Sequence, residues 1–133
     1  MLKRRWVLPG THINAVGADA PGKQELEPTL LSDAVVVVDD LKQASAAGEI
    51  NVPLGQGLFK MEQIYAALGE LIIGKKPGRN DRNAITVFDS TGLAIEDIAA
   101  ARLIYRRARE SGGYLSINLV DEAAYSATHK HLR

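Results

Sequence analysis

The sequence predicts an α/β fold in which a partial parallel sheet is followed by a long C-terminal helix. Strand-like and helical segments alternate along the chain, which is typical of parallel strands joined by helices. The clearest strand, residues 34–38, is an apolar and mostly β-branched run, as expected for a strand buried on both faces. The clearest helix, residues 93–110, repeats apolar residues at spacings of four and three.

The first half of the chain contains two predicted strands and a short connector. Residues 12–16 alternate polar with apolar side chains and are followed by Gly17, which predicts the first strand. The loop at residues 17–23 holds two glycines and one proline, so its backbone can come close to a ligand. Residues 27–32 form one or two helical turns. After the second strand, residues 40–47 are predicted to form a helix that an aspartate caps.

The second half is predicted to contain two helices and a third core strand. Apolar residues at helical spacing predict a helix over residues 61–73, and a polar loop separates it from a strand at residues 85–88. A helical crossover would therefore join the second and third strands. After the long helix, residues 114–120 are predicted as a further strand and residues 121–133 as a polar tail.

Composition excludes several classes of function. Sixteen basic residues balance sixteen acidic ones, so no overall charge attracts the chain to nucleic acid or to an anionic membrane. The longest apolar run is far shorter than the ~18 residues that a membrane-spanning helix needs. The chain has no cysteine, which excludes disulfides and suits a reducing compartment, and its three histidines lack further ligands nearby. We expect a cytoplasmic protein that binds a small molecule, with no nucleic acid, membrane or metal partner.

The predicted strands also indicate where a ligand binds. In parallel sheets flanked by helices, ligands bind beyond the carboxyl ends of the strands. The residues at those ends are 17–19, the pair Asp39-Asp40, and 89–92. Adjacent aspartates point apart on a strand, so we interpret Asp39-Asp40 as the start of a helix rather than as paired catalytic or metal-binding carboxylates.

Three segments carry a resemblance to a known family. Residues 9–26, from Pro-Gly-Thr-His-Ile-Asn-Ala-Val-Gly-Ala-Asp to Glu-Leu, closely resemble the signature of the ornithine cyclodeaminase and mu-crystallin family. Residues 37–50 and 85–97 resemble two further blocks of that family and occur in the same order. The resemblance extends from about Trp6 to Gly112. Within the family, residues 17–20 and 89–91 are more similar to archaeal-type alanine dehydrogenases than to ornithine cyclodeaminases.

The resemblance implies a domain organisation. Residues 1–92 would form the C-terminal half of a Rossmann-like NAD(P)-binding domain, and residues 93–120 would return to the substrate-binding and dimerisation domain. The glycine-rich turn that binds the pyrophosphate, and the basic residues that hold the substrate, are expected upstream of Met1. The sequence contains no G-x-G-x-x-G, and Gly55-Gln56-Gly57 is interpreted as a plain loop. The expected partner is a second copy of the chain or a missing N-terminal segment.

The resemblance also assigns roles to individual residues. Asp19 matches the catalytic aspartate of the family, which moves a proton or orients water at the substrate nitrogen. Cofactor contacts are implied for Val16, Gly17, Ala18, Asp19, Lys23 and Ser90, and a substrate contact for Thr91. Each has a structural alternative: Asp19 as a turn residue, Gly17 as a strand end, Lys23 as solvated surface, and the two hydroxyls as helix caps.

Two functions are therefore expected as alternatives. The first is an NAD- or NADP-dependent oxidoreductase, of which this chain is an incomplete part, acting on a small L-amino acid or cyclic imine. Hydride transfer to or from the α-carbon produces an imine, and a carboxylate close to its nitrogen lowers the barrier to water addition. The second is a truncated, non-catalytic binding or scaffold protein of the mu-crystallin type.

Overall fold

The computed structural model describes residues 1–117 and contains one sheet of four parallel strands. The strands are β1 (His12–Ala15), β2 (Val35–Val38), β3 (Ile64–Ala67) and β4 (Thr86–Asp89), in the order β1-β4-β2-β3. The helices are α1 (Pro28–Ser32), α2 (Leu41–Ala47), α3 (Asn51–Gly55), α4 (Leu68–Ile72) and α5 (Ala94–Ser111), and two single 3₁₀ turns span Arg4–Trp6 and Met61–Gln63. The predicted parallel α/β sheet followed by a long helix is confirmed.

The register of the central strands brings the carboxyl ends of three strands to one level. Ala15 of β1 lies beside Asp89 of β4, and Val38 of β2 lies beside Asp89 on the other side. Because parallel strands all end at the same edge, the loops that follow β1, β4 and β2 emerge next to one another.

The hydrophobic core lies against one face of the sheet. Val36 and Val38 of β2 and Val87 of β4 alternate with partly exposed neighbours, so their buried side chains share one face. That face packs in one cluster with residues of α1, α2 and the loops around α3, namely Leu30, Leu31, Ala44, Ile50 and Phe59. The core therefore covers this face of the sheet and holds in place the strands from whose carboxyl ends the loops emerge.

The predicted helix over residues 61–73 is wrong. This segment forms a 3₁₀ turn, strand β3 and the short helix α4. Residues of β3 pair in parallel with Val36, Val37 and Val38, with a register shift after Val36. The open edge of β2 provides backbone hydrogen-bond partners that override the helical spacing of the apolar residues. The connection between β2 and β4 is consequently not a simple helical crossover but contains a strand of its own.

The remaining predictions from sequence differ in outcome. The long helix is confirmed within one residue at each end, since α5 spans Ala94–Ser111. Helix α3 was not predicted and occupies part of the segment that we interpreted as a plain loop. Of the predicted strand at residues 114–120, residues 114–117 are not a strand, and residues 118–120 lie outside the described part of the chain, as does the predicted tail.

The chain divides into two compact units, Met1–Glu96 and Asp97–Arg133. All four strands belong to the first unit. Within residues 1–117, no helix combines the length and the apolar character that crossing a membrane would require.

Candidate functional site

The candidate site is formed by loops at the carboxyl edge of the sheet. Ser90, just after β4, donates its backbone N–H to the carbonyl of Ala15 in β1 at 2.9 Å. On the other side of β4, Asp39 donates its backbone N–H to the carbonyl of Asp89 at 3.1 Å. The turn at residues 90–92, here called the 90–92 turn, therefore begins between the loops that follow β1 and β2.

The loop that follows β1, residues 16–26, is called the Asp19 loop. Its backbone is anchored at Ala18, which is 1% exposed, whereas the side chain of Val16 is 65% exposed. The side chain of Asp19 is also mostly exposed to solvent. This loop thus presents an apolar side chain and a carboxylate to the solvent at the sheet edge where ligands bind in such folds.

Asp19 forms an ion pair with Lys23. The ammonium of Lys23 lies 2.5 Å from Oδ1 of Asp19, and both side chains are more than half exposed. The hydrogen bond from Lys23, followed by its positive charge, lowers the pKa of Asp19 below its ordinary value. Asp19 is consequently ionised at neutral pH and accepts hydrogen bonds. Lys23, which the resemblance implies as a cofactor contact, lies against Asp19 itself.

Gly17 adjoins a carboxylate. Its backbone N–H donates to Oε2 of Glu25 at 3.0 Å. A Cβ atom added to Gly17 would overlap the carboxylate of Glu25, so a side chain at this position would displace Glu25. A side chain at Gly17 would therefore break the hydrogen bond between its loop and Glu25, in addition to hindering the close approach of a ligand that the resemblance implies.

Asn51, in the first turn of α3, holds the middle of the Asp19 loop. Its Oδ1 accepts a hydrogen bond from the backbone N–H of Gly22 at 2.9 Å. Its Nδ2 donates to the carbonyl of Lys23 at 3.0 Å and also contacts the carbonyl of Gly48. The unpredicted helix α3 is thus the element from which this side chain fixes the loop.

The 90–92 turn is organised by Asp39. The carboxylate of Asp39 accepts the backbone N–H groups of Thr91 and Gly92, at 2.5 and 3.0 Å, and the hydroxyl of Thr91 at 3.0 Å. The hydroxyl of Ser90 lies 3.4 Å from the same carboxylate. Because the hydroxyl of Thr91 donates to Asp39, its oxygen is oriented as an acceptor for a donor on a ligand.

Asp39 and Asp40 therefore do different things. Asp40 caps α2, as predicted, by accepting the backbone N–H of Gln43 at 2.8 Å. Asp39 is 8% exposed and ties the end of β2 to the 90–92 turn, a role that the sequence analysis did not assign. Only the placement of β4 beside β2 in the sheet reveals it.

Two more buried carboxylates, Glu49 and Asp89, lie under the site and were not predicted to be functional. Both have no exposed surface. Burial, together with the negative charges of Asp89 and Glu25, raises the pKa of Glu49 to about 7. Burial also raises the pKa of Asp89 to about 6, with Asp39 contributing. Their signal in the sequence is weak, because an isolated glutamate or a strand-ending aspartate is usually exposed.

The chain is similar in sequence to known proteins. Residues 1–112 match the model of the ornithine cyclodeaminase/mu-crystallin family. The chain is 53% identical over 108 residues to an alanine dehydrogenase of Archaeoglobus fulgidus, covering 81% of this chain and 34% of that protein. The chain thus spans about a third of the length of this relative.

Solved structures support the same assignment. An archaeal alanine dehydrogenase dimer with bound NAD superposes with a TM-score of 0.80 at 48% identity, covering 90% of this chain and 38% of the other. The Delta(1)-pyrroline-2-carboxylate reductase of Thermococcus litoralis, in complex with NADH and L-proline, gives 0.80 at 36% identity and covers 89% and 36%. The resemblance drawn from residues 9–26, 37–50 and 85–97 is therefore confirmed, and the chain belongs to the ornithine cyclodeaminase/mu-crystallin family.

Proposed function

We propose that this chain is part of an NAD(P)-dependent oxidoreductase that acts on a small L-amino acid or cyclic imine. The observation that carries the proposal is the ionised Asp19 on the loop next to the 90–92 turn, at the edge of the sheet where ligands bind in such folds. Relatives with the same fold are dehydrogenases and reductases of this substrate class, two of them solved with NAD or NADH.

The residues present fit a nicotinamide group. Val16 offers an exposed apolar side chain at the end of β1, which suits the face of a flat ring. The hydroxyl of Ser90 follows β4 on the neighbouring strand and can hydrogen-bond a polar substituent. When bound, the nicotinamide would supply hydride transfer. In this proposal the backbone of Val16 and Gly17 and the side chain of Lys23 contact the cofactor, whereas Ala18, which is 1% exposed, supports that backbone from within the fold.

Asp19 is proposed as the catalytic residue. Its carboxylate would accept a hydrogen bond from the substrate ammonium or from the water that adds to the imine, and hold the proton released at nitrogen. Lys23 keeps this group ionised while the site is empty of substrate. The hydroxyl of Thr91, held by Asp39, would accept a hydrogen bond from the amino group of the substrate.

An NMR titration of the ¹⁵N-labelled chain with NADH tests the cofactor part of the proposal. We expect the largest amide shift changes at residues 16–19 and 90–91. Adenosine monophosphate, which lacks the nicotinamide, should leave these amides unchanged. Shift changes confined to other parts of the chain would contradict the proposed site.

The role of Asp19 is tested separately with Asp19→Asn. In the presence of saturating NADH, this variant should bind L-alanine or pyrroline-2-carboxylate about tenfold more weakly, because a neutral amide loses the charge-assisted hydrogen bond. The matched control is Asp97→Asn on the exposed surface of α5, which should bind as the unchanged chain does. Equal binding by all three proteins would remove Asp19 from the site.

The second candidate is a non-catalytic binding or scaffold protein of the mu-crystallin type, and the match to the ornithine cyclodeaminase/mu-crystallin family is compatible with it. Under this alternative the chain binds the dinucleotide but converts no NADH with alanine, ornithine or pyrroline-2-carboxylate. For either function we propose a cytoplasmic location and assembly as a homodimer or with a segment supplied by another chain. The archaeal neighbour is described as a dimer, which supports the first form of assembly.

A further inference from the structure

Glu49 is a fully buried carboxylate whose hydrogen bonds involve none of the residues proposed to contact cofactor or substrate. It lies between α2 and α3 and has no exposed surface. Its oxygens accept the backbone N–H of Leu26 at 2.6 Å and that of Glu25 at 3.0 and 3.1 Å. Burying an ionisable group is costly, and these hydrogen bonds offset part of that cost. The side chain therefore holds the C-terminal end of the Asp19 loop.

The backbone of the same residue is held from the other side by Asp89. The N–H groups of Glu49 and Ile50 donate to the two carboxylate oxygens of Asp89, at 2.9 and 3.2 Å. Gly48 permits this approach, since an added Cβ would lie 2.7 and 2.8 Å from the Asp89 oxygens. Asp89 is the last residue of β4 and immediately precedes the 90–92 turn.

Glu25 continues the connection to the start of the Asp19 loop. Its backbone N–H is held by Glu49, and its carboxylate accepts the N–H of Gly17, two residues before Asp19. The contacts thus run from Asp89 through Glu49 and Glu25 to Gly17. Both loops of the proposed site are joined by this series of carboxylate-to-backbone hydrogen bonds.

We propose that Glu49 is a positioning residue, which through Glu25 holds the Asp19 loop in place beside the 90–92 turn. The effect on cofactor and substrate rests on the proposed function, whereas the effect on the loop does not. A side chain that served only to fill the core would need neither the carboxylate nor its backbone partners, and an apolar residue would fill the same space.

The charge of Glu49 makes the positioning dependent on pH. The charged groups that act on it are Asp89 from β4 and Glu25 from the loop, both carboxylates, and Asp39 from β2 acts on Asp89 in turn. The pKa of Glu49 is about 7 with the loop closed, against an ordinary value of 4.5 when the side chain is exposed. The closed loop therefore binds the proton more tightly, and closure is favoured as the pH falls from about 7 toward 4.5.

Hydrogen exchange tests the structural half of the proposal. After correction for intrinsic rates, protection of the Gly17, Glu25 and Leu26 amides should rise about tenfold between pH 8 and pH 6. Glu49→Gln resembles the protonated side chain and keeps an acceptor oxygen, so its protection should be high at both pH values. Glu49→Ala removes the acceptor and should lose the protection. The control Glu62→Gln changes an exposed glutamate and should match the unchanged chain.

The outcomes separate the proposals. Protection that is independent of pH in the unchanged chain, or as dependent on pH in Glu49→Gln as in the unchanged chain, overturns the role of Glu49, even if Glu49→Ala does not fold. The functional half requires NADH affinity to fall as the pH rises from 6 to 8 in the unchanged chain and to stay constant in Glu49→Gln. If NADH affinity stays constant while amide protection changes with pH, the positioning role of Glu49 is overturned but the proposed function is not. If no variant binds NADH, the proposed function is overturned.

Discussion

At the scale of single residues, adjacent aspartates with the same chemistry differ because of what surrounds them. Asp40 lies at a helix end and accepts one backbone N–H, whereas Asp39 is buried and accepts three, together with the hydroxyl of Thr91. From the sequence, both were interpreted as the start of one helix, since two adjacent residues carry no information about which strand lies next to them. The rule on strand ends located the segments that contain Asp19, Ser90 and Thr91, whereas their individual roles came only from the family resemblance.

This difference predicts unequal losses of stability. Asp40→Ala removes one N-cap and should lower the free energy of unfolding by about 1 kcal/mol. Asp39→Ala leaves three backbone donors without their acceptor, those of Asp40, Thr91 and Gly92, and should lower it by about 3 kcal/mol. Urea denaturation followed by circular dichroism measures both. The interpretation of Asp39 as the organiser of the 90–92 turn fails if the two substitutions cost the same.

At the scale of secondary-structure elements, the sequence was sufficient to predict those elements whose conformation is decided by their own residues. Strands β1, β2 and β4 and helix α5 were predicted because their apolar patterns fit one conformation. Residues 61–73 fit a helical stripe, yet four of these thirteen residues, Ile64–Ala67, form a strand that pairs with the open edge of β2. That competition depends on a partner more than twenty residues away, so a local pattern cannot decide it. Such tertiary override is the usual limit of propensity.

NMR secondary chemical shifts check the correction directly. Residues 64–67 should show Cα shifts typical of extended backbone, and residues 68–72 shifts typical of a helix. Residues 41–47, which are helical both by prediction and in the structure, serve as the reference within the same spectrum. Uniform helical shifts over residues 61–73 would restore the prediction from sequence and remove β3 from the sheet.

At the scale of the whole molecule, the first unit leaves part of its sheet open. A groove of about 460 Å³ lies on the face opposite the core. Apolar side chains dominate it, including Val35, Val37, Leu71 and Phe88, and His12, Arg79 and Thr86 form a polar border. Thr86 accepts a hydrogen bond from Arg79 at 2.6 Å and lies 2.7 Å from the ring of His12. The groove is separate from the loops of the proposed site, because none of its lining residues belongs to residues 16–26 or 90–92.

Helix α5 also presents apolar surface, and it carries the last prediction. The helical spacing of Ala94, Ile98, Ala101 and Tyr105 forms an apolar stripe, through which we predict self-association, and Ile98 and Tyr105 are 67% and 64% exposed. Exposed apolar area of this kind favours association between copies. Light scattering should therefore give a mass of at least a dimer. Ile98→Glu should lower that mass, because it places a charge in the stripe, whereas the same change at the exposed Ile72 of α4 should not. A monomer at every concentration would contradict association, and an equal effect of both substitutions would place the contact elsewhere.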